Sequence, residues 1–242
     1  MRPRRLSLPG AGVALSGRWY TPADVCYGLA VIAHRMFIVL TAAYGYVGGD
    51  QDNPVVLALV RHFLAQQVHV VTYNARGVTG SEGRISWTMR PECEDMQSVV
   101  QYAMDHASLA TPTPTLFVAG YSAGALQAST VRPKLADGAW AHARLHYLLL
   151  AYPLGVRWLL TCLQTGHYVR ALDALLRDEH AGLTIVYGTS DQFTGASSYE
   201  TWQSHLLALR PTLDVHVLAV DHFLSTAPMQ QALSAALPRR AA

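Results

Sequence analysis

Ser122, Asp191 and His222 are a hydroxyl, a carboxylate and an imidazole, the three groups that acyl transfer to a serine requires. A serine hydroxyl is a poor nucleophile near neutral pH, so it needs a base to take its proton and an acid to orient that base. Ser122 stands in Gly120-Tyr121-Ser122-Ala123-Gly124, directly after the apolar run 115–119 and before a segment, 123–136, that can be helical. Such a strand-turn-helix setting exposes a hydroxyl at the tip of a sharp turn, and small neighbours let the two backbones approach. Asp191 follows the apolar run 183–187 in Gly188-Thr189-Ser190-Asp191-Gln192-Phe193, and His222 follows the run 214–220 in Asp221-His222-Phe223. All three groups thus fall just beyond apolar runs, where the functional residues of an open parallel sheet collect.

The elements that must position them read as strands alternating with helices. Residues 13–20, 28–33, 68–73, 115–119, 146–152, 183–187 and 214–220 have strand character, and the run GLAVIA at 28–33 is apolar throughout, as in a strand buried on both faces. Helices are expected over 55–66 behind Asn53-Pro54, over 91–107 with acidic residues in its first turn, over 123–136 and over 198–209. Residues 155–180 are mostly helical, rich in leucine, and longer than a simple crossover needs, which makes room for a small helical cap. The alternation implies a doubly wound, mainly parallel α/β sheet with right-handed crossovers. With 242 residues and no proline-rich or low-complexity linker, one domain over 1–242 is expected.

The chain resembles the α/β-hydrolase superfamily, and more narrowly its small serine hydrolases of the dienelactone-hydrolase-like and dipeptidyl-peptidase-like kind. The resemblance rests on G-Y-S-A-G, on Y-N-A-R-G-V-T-G-S-E-G, on Y-G-T-S-D-Q-F and on V-D-H-F, in an order that the superfamily shares. It implies that Ser122 is the nucleophile, His222 the general base and then acid, and Asp191 the residue that fixes the histidine tautomer. It further implies one oxyanion-hole donor at the amide of Ala123 and a second in the loop after His34, at Arg35 or Met36. Relatives carry a short turn there, so residues 35–43 read as an insertion. A hydrophobic flap beside an acyl pocket, translated non-coding sequence and a continued buried strand all fit it.

Plainer readings stand beside these. Ser122 can be a tight-turn residue, Asp191 a turn aspartate bonding its own backbone, and His222 one of 11 histidines without chemistry. Asp221 competes with Asp191, although on an extended segment neighbouring side chains point apart. The glycines of 74–83 have phosphate-loop spacing but no lysine follows them, so that loop reads as structural.

Composition narrows the function classes. Charged residues make up 14 % of the chain against roughly 25 % in an average domain, and 51 % are hydrophobic. The net charge is +2 with no basic stripe, so no nucleic-acid partner is expected. Cys26, Cys93 and Cys162 are odd in number and lack metal-ligand spacing, which fits a reducing, cytoplasmic setting without metal or cofactor. His34 and Arg35 interrupt the one long apolar stretch, 29–47, so no membrane span is expected, while Met36 to Leu40 would suit peripheral lipid contact. The expected function is cleavage of an ester, thioester or amide in a small-molecule acyl substrate through an acyl-enzyme on Ser122. A serine peptidase and a non-catalytic binding protein of the same fold are the rivals.

Overall fold

A computed structural model of the 242-residue chain describes residues 3–23, 25–35, 50–135, 138–223, 231 and 234–237, with the backbone alone for His34, Arg35 and Ala139. The strands β1 (Arg4–Pro9), β2 (Ala14–Tyr20), β3 (Gly28–Arg35), β4 (Val68–Tyr73), β5 (Thr115–Ser122), β6 (Arg144–Leu150), β7 (Ala181–Gly188) and β8 (Asp214–Leu218) form one sheet in the order β1-β2-β4-β3-β5-β6-β7-β8. β1 and β2 are antiparallel to each other and β2 to β4; every later pairing is parallel. The helices include α1 (Pro54–Ala65), α2 (Arg90–His106), α3 (Ala123–Thr130), α4 (Arg157–Leu160), α5 (Thr165–Leu176) and α6 (Ala196–Leu209).

Side-chain alternation along the strands divides the core into two layers. Leu29, Val31 and Ala33 of β3, Leu116 and Val118 of β5, and Tyr147 and Leu149 of β6 pack on one face with residues of α2, α3, α5 and α6. Ala30 and Ile32, Phe117, Ala119 and Tyr121, and Leu148 and Leu150 face the other way, against Val55, Val56, Leu59, Val60 and Phe63 of α1. Strands covered on both faces are apolar at most positions, and β4 and β5, so covered, are buried throughout. The architecture is the doubly wound, mainly parallel sheet anticipated from the sequence.

Two local expectations change, and two further segments gain a structural setting. β1 lies at the edge, where Arg4, Arg5, Ser7 and Pro9 are exposed; five of its six positions are at least partly exposed, too weak an apolar signal to announce a strand. The helix after Ser122 ends at Thr130 rather than 136, because Val131 is extended, as the residues near Pro133 favour. β3 runs on through His34 to Arg35, which stands opposite Ser122 in the parallel register, so the strand continues to Arg35. Met36 and the remainder of 36–43 lie outside the described residues. Finally, Tyr168, Leu172, Leu175 and Leu176 of α5 enter the same core as α3. The leucine-rich segment thus contributes these side chains to the core at the β6–β7 crossover.

The loop after β4 is tied down by charge. Arg76 donates from Nε to Asp95 Oδ2 across 2.7 Å and from its terminal nitrogen to Oδ1 across 2.6 Å, while Asp95 Oδ1 also accepts the Ala11 amide at 2.7 Å. Glu92 is buried and binds Ser86 through its amide and its hydroxyl. Two buried carboxylates of α2 thus satisfied hold 74–89 against the helix, which accounts structurally for the glycine-rich stretch.

Among the described residues no helix is long and apolar enough to cross a membrane.

His146 in β6 shares a 2.9 Å contact with Thr184 Oγ1 of β7, and burial above all lowers its pKa to about 4, with Arg210 adding and Asp214 opposing. Unfolding frees the imidazole to take a proton below pH ~6.5, so the unfolded chain binds more protons between pH ~6.5 and ~4. Stability present at pH 7 therefore falls on acidification, and the histidine's share of that loss by pH 5 is about 1–2 kcal/mol. Urea denaturation at pH 7 and pH 5 should show a smaller drop for His146→Gln than for the native chain.

Candidate active site

β5 passes into α3 at a single residue. Ser122 has φ 56° and ψ −125°, a conformation that L residues avoid. The turn is tight enough that a Cβ on Gly120 would stand 2.1 Å from the carbonyl oxygen of Gly124. Glycine at 120 is thus a steric requirement of the strand-to-helix approach, and the helix start behind it leaves the Ala123 amide among the first-turn N–H groups that have no intrahelical acceptor. Pairing of β5 with β3 on one side and β6 on the other holds the turn in place.

His222 reaches this turn from beyond β8. Its Nε2 lies 2.9 Å from Ser122 Oγ and its Nδ1 lies 2.7 Å from Asp191 Oδ2. Ser122, Asp191 and His222 are respectively 6 %, 7 % and 1 % exposed, so the series is sheltered from bulk water. With Nδ1–H donating to Asp191, Nε2 carries the lone pair that faces the serine hydroxyl.

Asp191 is held as firmly as the histidine. Its Oδ1 accepts the amides of Phe193 and Thr194 at 2.8 and 3.0 Å. The Tyr199 hydroxyl lies 2.9 Å from the Tyr152 carbonyl and 3.3 Å from Asp191 Oδ2, and burial, then the Asp191 charge, raise that phenol well above its ordinary pKa and keep it a donor. Asp191 is therefore a turn aspartate and the histidine's partner at once, with a different oxygen for each. Asp221 does not compete: its Oδ1 accepts the Phe223 amide at 3.1 Å, a local turn contact.

Of the residues singled out in the sequence, Ser122, Asp191 and His222 come together, and Ala123 follows the serine as the first residue of α3. Arg35 is in register with Ser122 through its backbone; Met36 lies outside the described residues. Sequence reasoning missed Tyr199, Gln192, Phe193 and Tyr121. Gln192 Oε1 accepts the His222 amide at 3.1 Å, and Phe193 sets its ring edge-on to the imidazole at 4.6 Å. The adjacency of Gln192 and Phe193 to Asp191 was the available signal; nothing in the sequence marks Tyr199, which arrives from α6. Among the described residues no group of three His, Cys, Asp or Glu side chains is arranged to hold a metal ion.

A scan against protein-family models gives no match, and a search of curated protein sequences gives none either. Solved structures do match over nearly the whole chain. An α/β serine hydrolase homologue from Coxiella burnetii superposes with a TM-score of 0.71 at 18 % identity, covering 97 % of this chain and 95 % of its own. A serine hydrolase without a lid from Xanthomonas campestris gives 0.65 at 19 % identity, with 100 % and 98 % covered. An esterase from Pyrococcus furiosus gives 0.68 at 15 % identity, with 97 % and 89 % covered. The chain has the α/β-hydrolase fold.

Because a methyl group at 120 would meet backbone and not a flexible side chain, Gly120→Ala should cost about 2–3 kcal/mol. A urea midpoint equal to that of the native chain would mean that the turn can open without loss.

Proposed function

We propose that the protein is a serine hydrolase that cleaves an ester, thioester or amide of a small-molecule acyl substrate through an acyl-enzyme on Ser122. The observation that carries this reading is the Asp191–His222–Ser122 series, at 2.7 and 2.9 Å, ending on a serine at positive φ. A histidine so placed beside a serine has little structural purpose, whereas a backbone strained at the reacting residue is typical of functional sites. Likeness to serine hydrolases and an esterase among solved structures adds support at the level of fold.

In this reading Ser122 Oγ attacks the carbonyl carbon while its proton passes to His222 Nε2. Asp191 then faces an imidazolium, whose charge it stabilises without taking the proton. The carbonyl oxygen, now an oxyanion, is received by the amide of Ala123 at the start of α3, where the helix dipole also favours negative charge. A second amide comes from Arg35, which runs level with the serine at the end of β3, or from Met36, the next residue in the sequence. Collapse of the tetrahedral adduct breaks the bond to the leaving group, which takes its proton from His222. Water, deprotonated by the same nitrogen, releases the acid and restores Ser122.

A fluorophosphonate probe should label the native chain at Ser122, and Ser122→Ala should abolish both labelling and p-nitrophenyl ester hydrolysis. Asp191→Asn should retain the fold and lower kcat by roughly 10³- to 10⁴-fold, since an amide in that place favours the wrong histidine tautomer. Equal labelling of the native chain and Ser122→Ala would end the nucleophile assignment. An unlabelled, inactive native chain would favour a binding protein of the same fold.

A further inference from the structure

We propose that Tyr121, the residue just before the nucleophile, is a positioning residue for the base, clamping the main chain of His222 so that its imidazole stands over Ser122. This inference rests on the hydrolase reading above and adds to it a residue acting through the histidine backbone.

β8 ends at Leu218, and the Val220 carbonyl beyond it still accepts the Ser190 amide at 3.1 Å, but among the described residues no backbone group bonds the N–H or the carbonyl of His222. Side chains take over that role. The Tyr121 hydroxyl donates to the His222 carbonyl oxygen across 2.8 Å, and Gln192 Oε1 accepts the His222 N–H at 3.1 Å. The imidazole is bonded at both nitrogens, to Asp191 and to Ser122. The two ring contacts set the rotation of the imidazole, and the two backbone contacts set where its Cα stands. Both are needed, because a reacting geometry displaced by about 1 Å loses on the order of 10² in rate.

Tyr121 is suited to this by its place in β5. Its Cα pairs with His34 of β3 and with Leu150 of β6, so its backbone is fixed on both sides. Side chains alternate along a strand, and Tyr121 projects into the core layer shared with α1, Phe117 and Ala119. The residue is fully buried and its ring centroid is 5.6 Å from the imidazole. Burial first, and then the charges of Asp191 and Asp221, push the phenol well above its ordinary pKa, so it remains a donor throughout the working range. A ring with two side-chain torsions, rooted one residue before the nucleophile, makes the base–nucleophile separation depend on one rigid spacer. Gln192 is exposed and extends from a loop, which makes it the weaker of the two supports.

Tyr121→Phe removes one oxygen and keeps the ring. On p-nitrophenyl butyrate its kcat should fall about 10- to 100-fold with KM within about twofold, and fluorophosphonate labelling of Ser122 should slow in parallel. In substrate-free protein, the downfield proton resonance of the His222–Asp191 hydrogen bond should broaden or shift. A melting temperature that falls while kcat per folded molecule and this resonance stay at native values would overturn the clamp, leaving Tyr121 a core residue only. Should Tyr121→Phe fail to fold, Gln192→Ala at its exposed position tests the same clamp. It should lower kcat about 3- to 10-fold and perturb the resonance, and native values of both would reject the proposal. Failure of the hydrolase reading is separately visible as a native chain that neither hydrolyses ester nor takes the probe. The resonance then decides the clamp alone, supporting it if altered in Tyr121→Phe and rejecting it if unchanged.

Discussion

At Ser122 the chain turns from strand to helix within one residue, with φ 56°, and most of the molecule is arranged to hold that turn. A residue in such a conformation costs about 1–3 kcal/mol and persists only where its surroundings over-determine it. Here β5 is paired along its whole length, to β3 as far as Arg35 and to β6 as far as Leu150, and α3 is buried along nearly all of its length on the sheet. Gly120 removes the one methyl that would push α3 away. The strain is thus carried by the centre of the sheet, where pairing on both sides leaves least room for relaxation.

From this centre outward the constraints weaken in order. Asp191 sits in the loop directly after β7 and satisfies its carboxylate with two loop amides, so the loop and the acid specify each other. His222 lies farther from its strand, and its position depends on side chains that reach it from β5 and from the β7 loop. Long-range bonds of this kind link residues 121 and 222, and 191 and 222, that no local propensity brings together. The acid-bearing side of the site is further supported by a ring stack: Tyr187 and Tyr199 lie 4.2 Å apart at 12°, and Trp202 lies 5.0 Å from Tyr152 at 28°. Aromatic pairs add about 0.5–1.5 kcal/mol beyond their burial, and these ones help to hold the helix that brings Tyr199 to Asp191.

Much of this is legible in the sequence because the signals are local. Among the described residues, apolar runs and helical periods mark seven of the eight strands and the four longer helices outside 155–180, since burial on both faces favours apolar residues at most strand positions. The edge strand β1 escapes because only Leu8 of its six residues is buried, and its pairing with β2 is set by backbone bonds that any residue supplies. The end of α3 does carry a local signal, since Pro133 disfavours a helical residue before it, although the expected helix runs on to 136. Leucines of 155–180 are ambiguous: periodicity marks an apolar face but not what it covers.

The sequence by itself determined the alternation of strand and helix, the sharp turn at Ser122 and the order of serine, aspartate and histidine after successive strands, because each depends on residue type and spacing within a short stretch. Only the tertiary structure decided that Asp191 and not Asp221 meets His222, that Arg35 continues β3 beside the serine, and that Tyr121, Gln192 and Tyr199 hold the series in place. Those are matters of which side chain crosses from one chain segment to another. They depend on the packing of strands far apart in sequence, which no single stretch encodes.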